Sequence, residues 1–355
     1  MEMKNSRLLV SEEDDKIEKE STIRKIVGII YKIIKYIIAH ICLSIILNST
    51  RYKDLIFVDL NQKLPPEKEN NMKVALCTMG KLENRYANEF VEYHLKLGIH
   101  IFIYDDNDPN TERIIDVIDE KSKPKVTTYE NIKDRIKIQD DAFTECYKNN
   151  MNEYDWFLMV DMDEFLFIKN DTLKHYLSNQ VFDKCDCIKL HWVFANDNGL
   201  IHYEPKPLFE RFKPPYIKNL FLKTIIKTNI TDMLYAYHSA KYAPTRNVTC
   251  TNTGEIVDTS KNVRIELSYE INVEKAFIIH FRYKTVDEFV IKYKRGYSDW
   301  FGDTVKELFD SNIYWFLLIN KLSWEKINII EKGLNISLTK YKITWLLREL
   351  FFMNE

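Results

Sequence analysis

YDWFLMVDMDEFLFIKN, residues 154–170, is the stretch on which the reading of this chain turns. The apolar run 156–160 stops at Asp161, Asp163 and Glu164, then resumes at 165–168. Three carboxylates within four residues repel one another, so they either face water or have a cation among them. A short apolar run bounded by turn residues reads as a buried strand, in which successive side chains alternate faces. Asp161 and Asp163 are therefore expected on one side of a strand tip, with Met162 on the other. Hard divalent ions such as Mg²⁺ and Mn²⁺ take one or two protein carboxylates and leave the rest of the shell to phosphate and water. The alternative is an acidic turn after a buried strand.

Upstream, apolar runs of strand and helix character alternate. KVALCTM (73–79), IHIFIYDDND (99–108) and KVTTYE (125–130) read as strands, and 84–98, 110–120 and 136–154 read as helices. That order predicts an α/β fold with a doubly wound, mostly parallel sheet, whose ligands bind at the carboxyl ends of the strands. YDDND and DMDE both fall at such ends.

The 355 residues are 45% hydrophobic and 29% charged, enough for a sizeable core. With 51 basic against 53 acidic residues, the balance argues against nucleic acid as a partner. The six cysteines, Cys42, Cys77, Cys146, Cys185, Cys187 and Cys250, show no metal or redox spacing and are expected as buried free thiols. The N-x-S/T sequences at Asn48, Asn170, Asn229, Asn247 and Asn335 matter only in a secretory lumen and decide nothing by themselves.

Residues 1–21 read as a polar tail, 22–50 as a hydrophobic helix and 51–71 as a linker. Residues 27–47 are long enough to span a bilayer, and the basic residues on their N-terminal side predict a cytoplasmic N-terminus. Lys25, Lys32 and Lys35 also fit an amphipathic helix lying on a membrane, and a soluble packing helix is the third arrangement. A catalytic domain is expected over 72–303, followed by a helical C-terminal extension over 304–355.

Ordered blocks along the chain carry a resemblance. CTMGKLENRYANEFVEYHLKLGI, IFIYDDNDPNTE, QDDAFTECY, YDWFLMVDMDEFLF, HWVFANDNGL, PLFERF, KTIIKTN, YHSA and IIHFRYKTVDEFVIKYKRGYSDW together resemble nucleotide-sugar glycosyltransferases of the type-A fold. The closest likeness is to glycosyltransferase family 92 and its family-2-like relatives, over about residues 73–300. The resemblance implies a metal-dependent, hexosyltransferase-type enzyme that moves a sugar from a nucleotide diphosphate donor, a UDP-sugar, to a glycan or glycoconjugate hydroxyl with inversion.

Residue by residue, it implies Asp163 as a direct ligand of Mn²⁺ (or Mg²⁺) and Asp161 as a ligand or ribose partner. His280 completes the shell, although on its residue type alone a histidine after AFII reads as a strand-end structural group. Asp105 and Asp106 are placed at the nucleotide base or ribose, and Glu83 and Arg85 where the family has an acidic block from which LEN departs. Lys294 and Arg295 would neutralise the diphosphate, with Lys223 beside them. Asp197 is the expected base that takes the acceptor's proton, with Glu164 the second candidate. Trp192, His238 and Trp300 are expected on the acceptor side. Two readings from other classes stand beside this one: an aspartate-nucleophile phosphohydrolase, which lacks its Gly-Thr continuation here, and a non-catalytic membrane-anchored glycan-binding protein.

Overall fold

A computed structural model describes residues 55–65, 71–130, 132, 139–228, 234–236, 239–241, 248–257, 271–295, 320 and 323–338. His238, Trp300 and the hydrophobic segment 22–50 lie outside them. Among the described residues no helix is long and apolar enough to cross a membrane. The sheet and everything built on it belong to one compact unit, Asp54–Lys321 with Asn328–Ile336. Of a second unit, the described residues are 323–327, which begin helix Trp324–Leu334, and 337–338.

The first half follows the alternation of the sequence. Strands β2 (Val74–Gly80), β3 (Ile99–Asp105), β4 (Val126–Tyr129) and β5 (Trp156–Met159) form a parallel block in the order β4-β3-β2-β5. β2 and β5 are buried along their whole length, as parallel strands covered on both faces must be. Helix α1 (Asn84–Lys96) buries Tyr86, Ala87, Phe90, Val91 and His94, one stripe at helical spacing, and ends just before Gly98 at φ +76°. Helix α2 (Gln139–Asn150) buries Ala142, Phe143, Cys146 and Tyr147 in the core that also holds Phe102, Tyr104 and Phe157, and two short helices follow, α3 (Leu173–Leu177) and α4 (Leu208–Arg211).

The second half departs from the expected parallel pattern. Next to β5 lies β8 (Tyr216–Lys227), antiparallel to it, then β7 (Cys187–Phe194), β12 (Ala276–His280) and β6 (Glu164–Ile168). β7 runs antiparallel to β8 and parallel to β12, and β12 is antiparallel to β6, so the sheet is mixed. The reason is local. Only four residues, 160–163, separate β5 from β6, far too few for the crossover of a dozen or more that a parallel connection needs. β6 therefore cannot extend the parallel block and pairs with β12 at the far edge. Within the segment expected as a linker, β1 (Leu55–Ile56) pairs antiparallel with β8. Two short strands, β9 (Leu234–Ala236) and β10 (Ser239–Lys241), form a separate antiparallel pair, and β11 (Thr249–Cys250) lies parallel to β7.

Two further expectations are corrected. The helix expected over 110–120 is only a 3-10 turn, Ile114–Val117, because Asp105 Oδ2 accepts the Ile114 N–H at 2.7 Å and Arg113 folds onto Asp116 at 2.6 Å. Those contacts hold the segment as a loop against the end of β3. Four of the six cysteines are paired rather than free: Cys77 on β2 with Cys146 on α2, and Cys185 with Cys250. Their partners stand 69 and 65 residues apart in sequence, so local spacing carried no signal. Cys187 is buried and belongs to neither pair.

Candidate active site

The acidic run does not continue a strand. β5 ends at Met159, and residues 161–163 form a tight turn closed by the Glu164 N–H on Asp161 O at 3.0 Å. The Asp161 N–H in turn donates to Glu164 Oε2 at 2.9 Å. Gly80, at the end of β2, lets this turn approach: a Cβ there would lie 2.5 Å from Ile114 Cδ1 and 3.0 Å from Met162 Cε. Alternation along an extended strand therefore does not set the directions of Asp161 and Asp163; the turn does.

Cations from three later segments meet the three carboxylates. Lys223, on β8 and fully buried, places Nζ 3.1 Å from Asp161 Oδ1 and 3.3 Å from Glu164 Oε2. Gln139 Nε2, at the start of α2, donates to Asp161 Oδ1 at 2.6 Å. Helix α5 (Val286–Arg295) brings Lys292 to 2.6 Å from Asp163 Oδ2, and Lys284, just before that helix, stands 3.5 Å from the same oxygen. His280 lies directly opposite Glu164 in the β12–β6 register. Its Nε2 is 3.3 Å from Asp163 Oδ1 and its Nδ1 is 3.5 Å from Glu164 Oε1.

Burial separates the protonation behaviour of these groups. Burial pushes the Asp163 carboxyl upward, but Lys292, His280 and Lys284 outweigh it and hold it well below the usual carboxylate range. Glu164 moves well above that range through burial and the neighbouring Asp161, against the pull of Lys223. His280 is lowered to about 4, chiefly by burial, and is the neutral imidazole at pH 7.

The donor set fits a divalent ion. One ligand atom each from Asp161, Glu164 and His280 lies within 4.8 Å of the others. Glu164 Oε1 and His280 Nδ1 are buried, face one another and make no hydrogen bond, which is costly unless a further group is received there. Two carboxylate oxygens and an imidazole nitrogen suit Mn²⁺, and Mg²⁺ less well because of the nitrogen. Asp163, expected as a direct ligand, instead faces the two lysines and His280 Nε2.

Beside this cluster opens a cavity of about 490 Å³. Five cations line it, Arg85, Arg282, Lys284, Lys292 and Arg295, against three acids, Glu83, Glu112 and Glu288. Glu83 accepts from Arg295 at 2.6 Å and lies 3.8 Å from Lys284. Lys284 and Lys292 are thus shared between the cavity and Asp163. On α5 the positions 288, 291, 292 and 295 share the face toward the cavity. Lys294 is exposed and is not among the residues lining it. Lys292, Lys284, Arg282 and Gln139 were not singled out from sequence; helical spacing back from Arg295 would have found Lys292.

The remaining expected residues hold the surroundings. Asp105 uses both oxygens on its own loop, accepting from Asn107 N–H at 3.0 Å and Ile114 N–H at 2.7 Å. Asp106 lies 3.7 Å from Lys81. Asn107 ties the loop after β3 to the loop after β2, accepting from Leu82 N–H and donating to Asn84 Oδ1, both at 2.7 Å. Arg85 stacks over the Tyr203 ring at 4.0 Å. Trp192 is buried with its ring 4.6 Å from His280, and packs the imidazole in place. Asp197 is buried in its own turn, where Oδ1 accepts the Gly199 N–H at 2.9 Å, and it does not line the cavity.

A glycosyltransferase family 92 protein of Oryza sativa subsp. japonica is 33% identical over 109 residues, which are 30% of this chain and 18% of that protein. One from Ricinus communis is 28% identical over 114 residues, 32% of this chain and 20% of the relative. One from Arabidopsis thaliana is 30% identical over 104 residues, 28% and 18% respectively. The chain thus matches about a fifth of the length of these curated relatives. The family model for glycosyltransferase family 92 covers residues 71–312, well over half of the sequence and the whole of the acidic cluster and its cation-lined cavity; the chain belongs to that family.

Proposed function

We propose that this chain transfers a sugar from a nucleotide diphosphate sugar, of the UDP class, to a glycan or glycoconjugate hydroxyl, with inversion and on a type-A fold. The observation that carries the reading is the sharing of Lys284 and Lys292 between Asp163 and a cavity rich in cations. A diphosphate placed in that cavity meets Arg282, Lys284 and Lys292 on one wall, and its developing negative charge on departure is stabilised by groups already in position. Asp161, Glu164 and His280 are the residues that would hold Mn²⁺ (or Mg²⁺), with Asp163 able to join them once its lysines turn to phosphate. When bound, the ion supplies Lewis-acid stabilisation of the leaving diphosphate. Neutral His280 is in the form that can ligate, and Lys223 keeps Asp161 and Glu164 from repelling one another. Asp197, expected from sequence to take the acceptor's proton, is buried off this cavity and is not assigned that role. Membrane association through 22–50 belongs to the same proposal.

The test is turnover and binding of a UDP-sugar panel by the purified chain with and without Mn²⁺. Mn²⁺-dependent transfer or hydrolysis, lost in Asp163→Ala, is expected. Absence of nucleotide-sugar binding under both conditions overturns the reading.

A further inference from the structure

Asn170, in the sequence Asn170-Asp171-Thr172, is exposed at the end of β6. Its backbone has φ +56°, the left-handed region that asparagine tolerates. Its N–H donates to Gln62 Oε1 at 2.7 Å, and Gln62 Nε2 donates to Ile168 O at 2.6 Å, so the turn is fastened from the chain preceding β2. Beside it lies an open cavity of about 310 Å³, rimmed by Lys169, Asp171, Tyr176, Glu274 and Lys275.

A second, independent observation concerns the compartment. The pairs Cys77–Cys146 and Cys185–Cys250 have Cα separations of 6.4 and 5.8 Å, within the reach of a disulfide. Disulfides form and persist in oxidising compartments, and a secretory lumen is where asparagine in N-x-S/T accepts a glycan.

We propose that Asn170 carries an N-linked glycan, attached in an oxidising secretory lumen. The donor class is an oligosaccharide on a lipid diphosphate. The bond between its anomeric carbon and the diphosphate oxygen breaks, a bond from that carbon to Asn170 Nδ2 forms, the amide gives up one proton, and the lipid diphosphate leaves. In the folded chain Thr172 Oγ1 accepts the His175 N–H at 3.3 Å as the cap of helix α3 (Leu173–Leu177). The sequon hydroxyl is therefore engaged once α3 closes, and attachment precedes that step. β6 spans about 14 Å between Glu164 and Ile168 at the usual rise per residue, so the glycan stands clear of the acidic cluster.

The test expresses the full chain in a eukaryotic cell. Amidase release should increase gel mobility and convert residue 170 to Asp in the peptide map. Asn170→Gly, which keeps the left-handed backbone, and Thr172→Ala should lose the modification, while Thr172→Ser keeps it. Alkylation of the denatured chain without reduction should leave Cys77, Cys146, Cys185 and Cys250 unlabelled. A chain with four blocked cysteines whose residue 170 remains unmodified Asn overturns the proposal. So does a chain in which all six cysteines are alkylated. Neither result touches nucleotide-sugar turnover, which is read separately.

Discussion

Lys292 shows how one residue couples two parts of the site. Its Nζ sits 2.6 Å from Asp163 and donates to Arg282 O at 3.3 Å, yet its side chain also lines the cavity. Replacement by methionine keeps most of the packing and removes a charge-assisted contact worth about 1.5–3 kcal/mol. Lys292→Met is expected to raise the nucleotide-sugar KM by roughly tenfold to a hundredfold, with a smaller effect on affinity for Mn²⁺ measured without donor. Equal loss of both would place Lys292 in the fold rather than at the phosphate. In KYKRG (292–296) the spacing back from Arg295 pointed to Lys292, but a basic cluster alone did not say which face of the helix meets a cavity. What the sequence did expose was the demand for a cation, since three adjacent carboxylates cannot stay buried alone. The lysines that meet it sit at least 59 residues further on.

Helix α5 holds its position through a buried ion pair. Arg211 donates to Glu288 Oε2 at 2.8 Å and to Oε1 at 3.2 Å, with 1% and 3% of the two side chains exposed. Thr285 Oγ1 and the Tyr86 hydroxyl donate to the same carboxylate. Burial pushes Glu288 up, but Arg211, Thr285 and Tyr86 bring it down to about 2. Removing one partner leaves a buried charge, so Arg211→Met is expected to lower unfolding free energy by about 3–5 kcal/mol in a denaturant titration. Arg211→Met combined with Glu288→Leu should recover part of that loss. The parallel block β4-β3-β2-β5 was readable because its strands are short and apolar and are joined to one another by helices or loops of crossover length. The β6–β12 pairing was not, because strands 108 residues apart are matched by register and packing rather than by any local pattern.

At the scale of the whole molecule, acid stability turns on a second buried histidine. His94 donates from Nδ1 to Phe90 O at 2.9 Å, and its Nε2 accepts the Leu166 N–H at 3.4 Å. Burial lowers it to about 3. The unfolded chain takes up this proton as pH falls through about 6.5, while the folded chain refuses it until about 3. Stability is therefore lost across that window as pH falls, by up to ~5 kcal/mol from this group. Melting temperature should drop steadily below pH 6.5, and His94→Leu, though less stable at neutral pH, should show a shallower slope. An unchanged slope would assign the acid sensitivity to other groups.

The pairing of Glu164 with His280 also fixes an order of events during synthesis. Asp161, Asp163 and Glu164 leave the ribosome long before Lys223, His280, Lys284 and Lys292, the groups that make their burial tolerable. Until β12 is available β6 has no partner strand, and until residue 292 is available Asp163 lacks the lysines that compensate its charge. A nascent chain stopped before 276 is expected to keep this turn hydrated and open, so the site closes late and in one step, as the last strand docks.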